Sequence, residues 1–182
     1  EGFLLDIKHA QVLMYEAIQT IRISSMPDYS RSQLELLTMK ETCDYVKQKL
    51  EQKGCLGVWE INGSSVIVYD ASEEKAIKGS KIMTKCLQEK TITMTLEERQ
   101  VISSDAWKAM VADINRQHQG HTIIRVHNST IEITATHKYA AKITESVQDC
   151  LSANVLYTQT VTEDSRKIRY LDQWKKPQID EF

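Results

Sequence analysis

Three groups in this chain have residue types that could do chemistry: a histidine pair, a hydroxyl–carboxylate cluster and a basic, aromatic tail. His118 and His121 stand three residues apart, a spacing that occurs in metal sites. They straddle a helix stop at Gly120 and no nearby cysteine completes a ligand set, so no metal is expected. Ser103-Ser104-Asp105 places hydroxyls beside a carboxylate, but a nucleophile needs a base fixed next to it. Helix capping accounts for the same three residues in full. His127 and His137 flank a hairpin and read as surface residues. The chain has no GxGxxG, Walker loop or HExxH. Its carboxylates are spread over exposed helix faces, so no acid–base pair stands out. The sequence therefore predicts no catalytic residue, no cofactor and no small-molecule substrate.

The tail carries Arg166, Lys167, Arg169, Lys175 and Lys176 interleaved with Tyr170 and Trp174. Such a mixture can hold single-stranded nucleic acid through phosphate contacts and base stacking. The competing reading is the start of a further folded element, with Asp172, Asp180 and Glu181 offsetting the charge. Lys108, Arg116 and Arg125 offer a second, weaker basic strip. Overall the 182 residues hold 23 Lys and Arg against 25 Asp and Glu, a formal charge of -2. A dedicated nucleic-acid binder is visibly basic, and this balance turns the preference towards a protein partner or self-association. Cys43, Cys55, Cys86 and Cys150 form no CxxC pair. Cys86 and Cys150 fall inside apolar helix stripes, where a thiol acts as a small hydrophobe. Free core thiols suit a reducing compartment, cytoplasmic or nuclear. No apolar run of membrane length occurs.

The elements that must position these groups come twice. "NGSSVIV" (Asn62 to Val68) returns as "NSTIEI" (Asn128 to Ile133), and "IMTKCLQ" (Ile82 to Gln88) as "SVQDCLS" (Ser146 to Ser152). A period near 65 residues is the mark of a tandem array. "LMYEAIQ" (Leu13 to Gln19) resembles a third copy of that ending. The expected division is 1–19, the last helix of a preceding module; 20–90, module one; 91–153, module two; and 154–182, the start of a following module or a linker. In module one, Thr20 to Ser24 reads as a strand and Arg31 to Gln52 as helical. Leu56 to Ile61 and Ser65 to Tyr69 read as a hairpin around Asn62-Gly63, and Ser72 caps a helix to Gln88. Module two repeats this with strand Thr91 to Thr95, helical Leu96 to Gln117, hairpin Thr122 to Val126 and Ile131 to Ala135, and helix Tyr139 to Leu151. Val155 to Thr162 reads as a further strand.

One helix from Arg31 to Gln52 would span about 33 Å, too long beside five-residue strands. Thr38 and Ser103-Ser104-Asp105 offer breaks, so each module becomes β-α-α-β-β-α. A ferredoxin-like RRM arrangement needs two strands between successive modules. Only one fits here, and no strand carries the aromatic RNP pattern. The fold class expected is α+β: two tandem three-stranded sheets, each with helices on one face.

This order and repeat resemble divergent tandem KH-like domains. Such arrays occur in multi-macrodomain ADP-ribosyltransferases of the poly(ADP-ribose) polymerase superfamily and in their Deltex-type ubiquitin-ligase partner. The resemblance implies a non-catalytic module of a larger protein that transfers ADP-ribose from NAD through another domain. It also implies an alternative function, single-stranded RNA or DNA binding. A nucleic-acid-binding KH domain has a GXXG loop between its first two helices, where glycine lets backbone meet backbone. In this chain those places hold Thr38-Met39-Lys40-Glu41 and Ser103-Ser104-Asp105-Ala106. Neither has a glycine and each has an acidic residue, which a phosphate repels. "GCLG" (Gly54 to Gly57) matches the letters but follows the second helix, where Gly54 reads as a helix stop. Trp59 and Trp107 read as core or module-packing residues.

Overall fold

A computed structural model describes residue 9, residues 21–26 and residues 29–155. Along them run β1 (Arg22–Met26), α1 (Arg31–Thr38), α2 (Lys40–Glu51), β2 (Val58–Asn62), β3 (Ser65–Asp70) and α3 (Glu73–Cys86). The same order then repeats as β4 (Leu87–Thr93), α4 (Leu96–Val101), α5 (Asp105–Gln117), β5 (Thr122–Val126), β6 (Thr130–Thr136) and α6 (His137–Ala153). We refer to the two halves as unit one and unit two. Each holds a three-stranded, wholly antiparallel sheet, ordered β1-β3-β2 and β4-β6-β5.

Local chemistry explains the breaks. Ser30 and Thr95 open α1 and α4 with capping boxes, closed by Gln33 and Glu98. Each helical stretch is split as expected, at Met39 in unit one and at Ile102 to Ser104 in unit two. Ser104 accepts from the Trp107 amide and so starts α5; Ser72 accepts from the Lys75 amide and starts α3. At the β2–β3 turn Gly63 takes φ +63°, a conformation that glycine adopts without strain.

Alternation along the strands sends one set of side chains to each unit's own helices. Val66 and Val68 join Leu36, Val46, Leu50 and Met83 in the core of unit one, with Trp59 packed against it. Ile131, Ile133 and Ala135 join Trp107, Ile143, Val147 and Leu151 in the core of unit two.

Two expectations need correction. The strand expected from Thr91 begins at Leu87, and the helix expected to reach Gln88 ends at Cys86. The division placed after Lys90 therefore falls inside β4. The apolar stripe of α3 runs on through Leu87, so spacing alone reads it as helical. In the fold Leu87 reaches the core of unit one from a strand instead. Strand β1 is likewise two residues later than Thr20 to Ser24. The readings placed on Leu13 to Gln19 and on Leu156 to Thr162 lie outside the described residues. Among the described residues no helix is long and apolar enough to cross a membrane.

Candidate interaction site between the units

The outer face of the second sheet is partly covered by unit one, which the sequence did not lead us to expect: Thr134 is buried and Ile123 half-buried, while Glu89, Thr91 and Glu132 stay exposed. Glu89, Thr134 and Ile123 lie opposite one another across β4, β6 and β5, as do Thr91, Glu132 and Arg125. Both rows face away from the helices of unit two. Helix α1 of unit one lies against this face. Ile123 packs against the core of unit one. The Ser30 hydroxyl donates to the Glu89 carboxylate, and Thr134 Oγ1 donates to the same oxygen at 3.1 Å. Arg125 donates to Glu35 at 2.5 Å, joining the two units by an ion pair. The apolar floor gives the contact its driving force. The polar rim adds directional contacts that favour one register, each modest because Glu89 and Glu35 remain exposed to water.

The start of α2 closes the adjoining corner. Thr42, fully buried, donates through Oγ1 to the Gly120 carbonyl at 2.5 Å. The Glu41 carboxylate sits where a side chain on residue 120 would stand. Gly120 also takes φ +70°, so it is required twice over. Just beyond, the His121 ring meets Tyr45 edge-on at 6.3 Å and lies 5.1 Å from the Tyr139 ring; His118 lies 4.6 Å from Tyr139 on its other contact. Burial holds both imidazoles below their ordinary pKa. For His118 the Lys142 charge adds to this and Asp113 opposes it. For His121 the Glu41 carboxylate opposes it, while Lys138 and His118 add to it. The pair is thus part of a neutral aromatic cluster that runs from unit one into unit two. Among the described residues no group of three or more His, Cys, Asp or Glu is placed to hold a metal.

The residues singled out from sequence separate here. Of Thr38, Met39, Lys40 and Glu41, Thr38 closes α1, Met39 packs against the core, Lys40 is exposed and Glu41 faces unit two. Of Ser103, Ser104, Asp105 and Ala106, Ser104 is spent on the cap; Ser103, Asp105 and Ala106 are exposed. Lys108, Arg116 and Arg125 do not make a strip of free cations. Lys108 pairs with Asp105 at 3.1 Å, Arg116 with Asp113 at 2.5 Å, and Arg125 with Glu35 in the other unit. Arg166, Lys167 and Arg169 lie outside the described residues. Cys43, Cys55, Cys86 and Cys150 are free thiols, with all but Cys43 buried. His127 pairs with Glu132 at 3.2 Å, and His137 Nδ1 meets Gln88 at 2.7 Å. Sequence reasoning missed Ser30, Thr42, Tyr45, Gly120 and Ile123 as interface residues. The clue was Ile123 and Arg125 on a strand face that ought to meet only water.

No family model and no curated protein matches the chain. Among solved structures it has a likeness to a protein of unknown function from Aeropyrum pernix. The two are 11% identical with a TM-score of 0.24, over 88% of this chain and 94% of that one.

Proposed function

We propose that the chain is a non-catalytic interaction scaffold of two KH-like modules, belonging to a larger protein of ADP-ribosylation signalling. The order β-α-α-β-β-α in both units supports the KH-like reading. One observation carries the functional part: the corner between α1 and α2 of unit one is committed to unit two. There Thr42 donates to the Gly120 carbonyl and Glu41 lies against the same glycine. A KH grip on nucleic acid needs a bare, glycine-bearing junction at that corner. The matching corner of unit two has no glycine, and its exposed Asp105 is paired with Lys108, so it offers a phosphate neither bare backbone nor an unpaired cation from that pair. Among the described residues, the basic strip that could have compensated, Lys108, Arg116 and Arg125, has each member paired with a carboxylate. Any transfer of ADP-ribose from NAD by the larger protein belongs to another domain.

Titration of the chain with labelled single-stranded RNA and DNA at low salt tests this. The reading predicts no saturable binding. Saturable binding that weakens steeply with added salt, as counterion release demands, would replace the scaffold with a nucleic-acid module.

A further inference from the structure

Among the described residues, the contact that joins the units leaves a second, matching pair of surfaces unused. Register relates the two sheets: Ile23, Tyr69 and Val58 lie opposite one another in the first as Glu89, Thr134 and Ile123 do in the second. Ser25, Ile67 and Glu60 likewise match Thr91, Glu132 and Arg125. In the second sheet this face receives α1. In the first, no described helix lies on it and it is largely apolar, with Ile23 60% and Val58 52% exposed and Glu60 accepting from the Tyr69 hydroxyl at 2.8 Å. Leu56, two residues before Val58, stands where His121 stands before Ile123, and it too is exposed.

The helix that matches α1 is α4, and its outer side is equally bare. Leu96, one residue past the Thr95 cap, is 70% exposed. It corresponds to Arg31, one residue past the Ser30 cap, in the cleft with Glu89. The substitutions on the two surfaces agree in kind. Where the joined pair has polar Arg31 near polar Glu89, the unused pair has Leu96 on α4 and Ile23 on the sheet. Where the joined pair has Glu35 on Arg125, the unused pair has Gln100 and Glu60, which can share a hydrogen bond and do not repel. Exposed apolar residues found in two places that already fit each other elsewhere in the fold point to an interface.

We infer that a second copy of this chain docks there: α4 of one molecule lies across the open face of the first sheet of the next, repeating the contact of α1 with the second sheet. This rests on the scaffold reading and names its partner. Such a contact joins unlike surfaces head to tail, so each molecule keeps one further surface of each kind and assembly goes past the dimer, into rings or open chains.

The test is sedimentation of the whole chain at rising concentration, with Leu96→Glu and Val58→Glu variants. Wild type should grow in mass with concentration. Each variant alone should associate at least about tenfold more weakly, the effect of a charge buried at the centre of an interface. An equimolar mixture of the two should recover dimers and stop there, since only one intact α4 and one intact sheet face remain to meet. Ile23→Glu provides a second sheet variant if Val58→Glu lowers the melting temperature. A wild type that stays a single chain at every concentration overturns the inference. So does loss of association in Val58→Glu without loss in Leu96→Glu, which would mean a different occupant on the sheet. A mixture that fails to recover dimers overturns it as well, because like surfaces would then be meeting. A single chain that also ignores single-stranded RNA sinks this contact alone. Salt-sensitive RNA binding sinks the scaffold reading beneath it.

Discussion

Gly120 is the residue on which the joint turns. A Cβ there would meet the Glu41 side chain and would also sit on a backbone at φ +70°. Gly120→Ala should therefore destabilise the chain by about 1–2 kcal/mol for the left-handed backbone alone, with a further loss from displacing Glu41. Denaturant melts of Gly120→Ala, Glu41→Ala and the double variant separate the two: the double variant should lose less than the sum. His118 and His121 set a pH dependence. Burial depresses both pKa values, so the folded chain holds them neutral. Above about 6.5 folded and unfolded chains are alike in this respect. As pH falls below that, the unfolded chain takes up protons first and stability drops until the folded pKa values are passed. A His118→Phe, His121→Phe variant should show a flatter fall in melting temperature from pH 7 to 5 than wild type. Neither role was legible in the sequence beyond the glycine as a helix stop. The partners come from α2 and α6, distant in the chain, and spacing between neighbours carries no information about them.

Helices α1 and α4 are built alike but used differently. Ser30 and Thr95 each cap with a reciprocal box, and removing such a cap costs about 1 kcal/mol. Ser30 also donates to Glu89 in the other unit, so Ser30→Ala should cost measurably more than Thr95→Ala in matched urea melts. Equal losses would mean that the bond to Glu89 contributes nothing in solution. At this scale the sequence was most readable. The repeat, the two hairpins and the helix break at Ser104 follow from turn residues, caps and apolar periods, all of which are local; the break beside Thr38 was read from helix length, and Met39 there carries no side-chain cap. The start of β4 was not readable, because Leu87 continues the apolar stripe of α3 and no turn residue separates helix from strand. The pairing of the basic strip was unreadable for another reason. Composition records that Lys108, Arg116 and Arg125 are cations but not that Asp105, Asp113 and Glu35 neutralise them.

In the whole molecule the two units form one body because helix α1 serves two sheets. Leu36 and Leu37 bury in its own core, and its other side rests on the face that carries Ile123 and Arg125. A repeat read from sequence suggests beads with a short junction; the shared helix makes them interdependent. The units happen to carry one reporter each among the described residues. Trp59 packs against the first core and Trp107 is buried in the second. With Trp174 replaced by Phe, variants that keep only Trp59 or only Trp107 follow each unit by fluorescence through urea unfolding. Joined units should give coincident transitions, the mark of a single cooperative change. Two transitions with separate midpoints would contradict the account: the units would then be independent, and the α1–α2 corner free to act as a nucleic-acid grip.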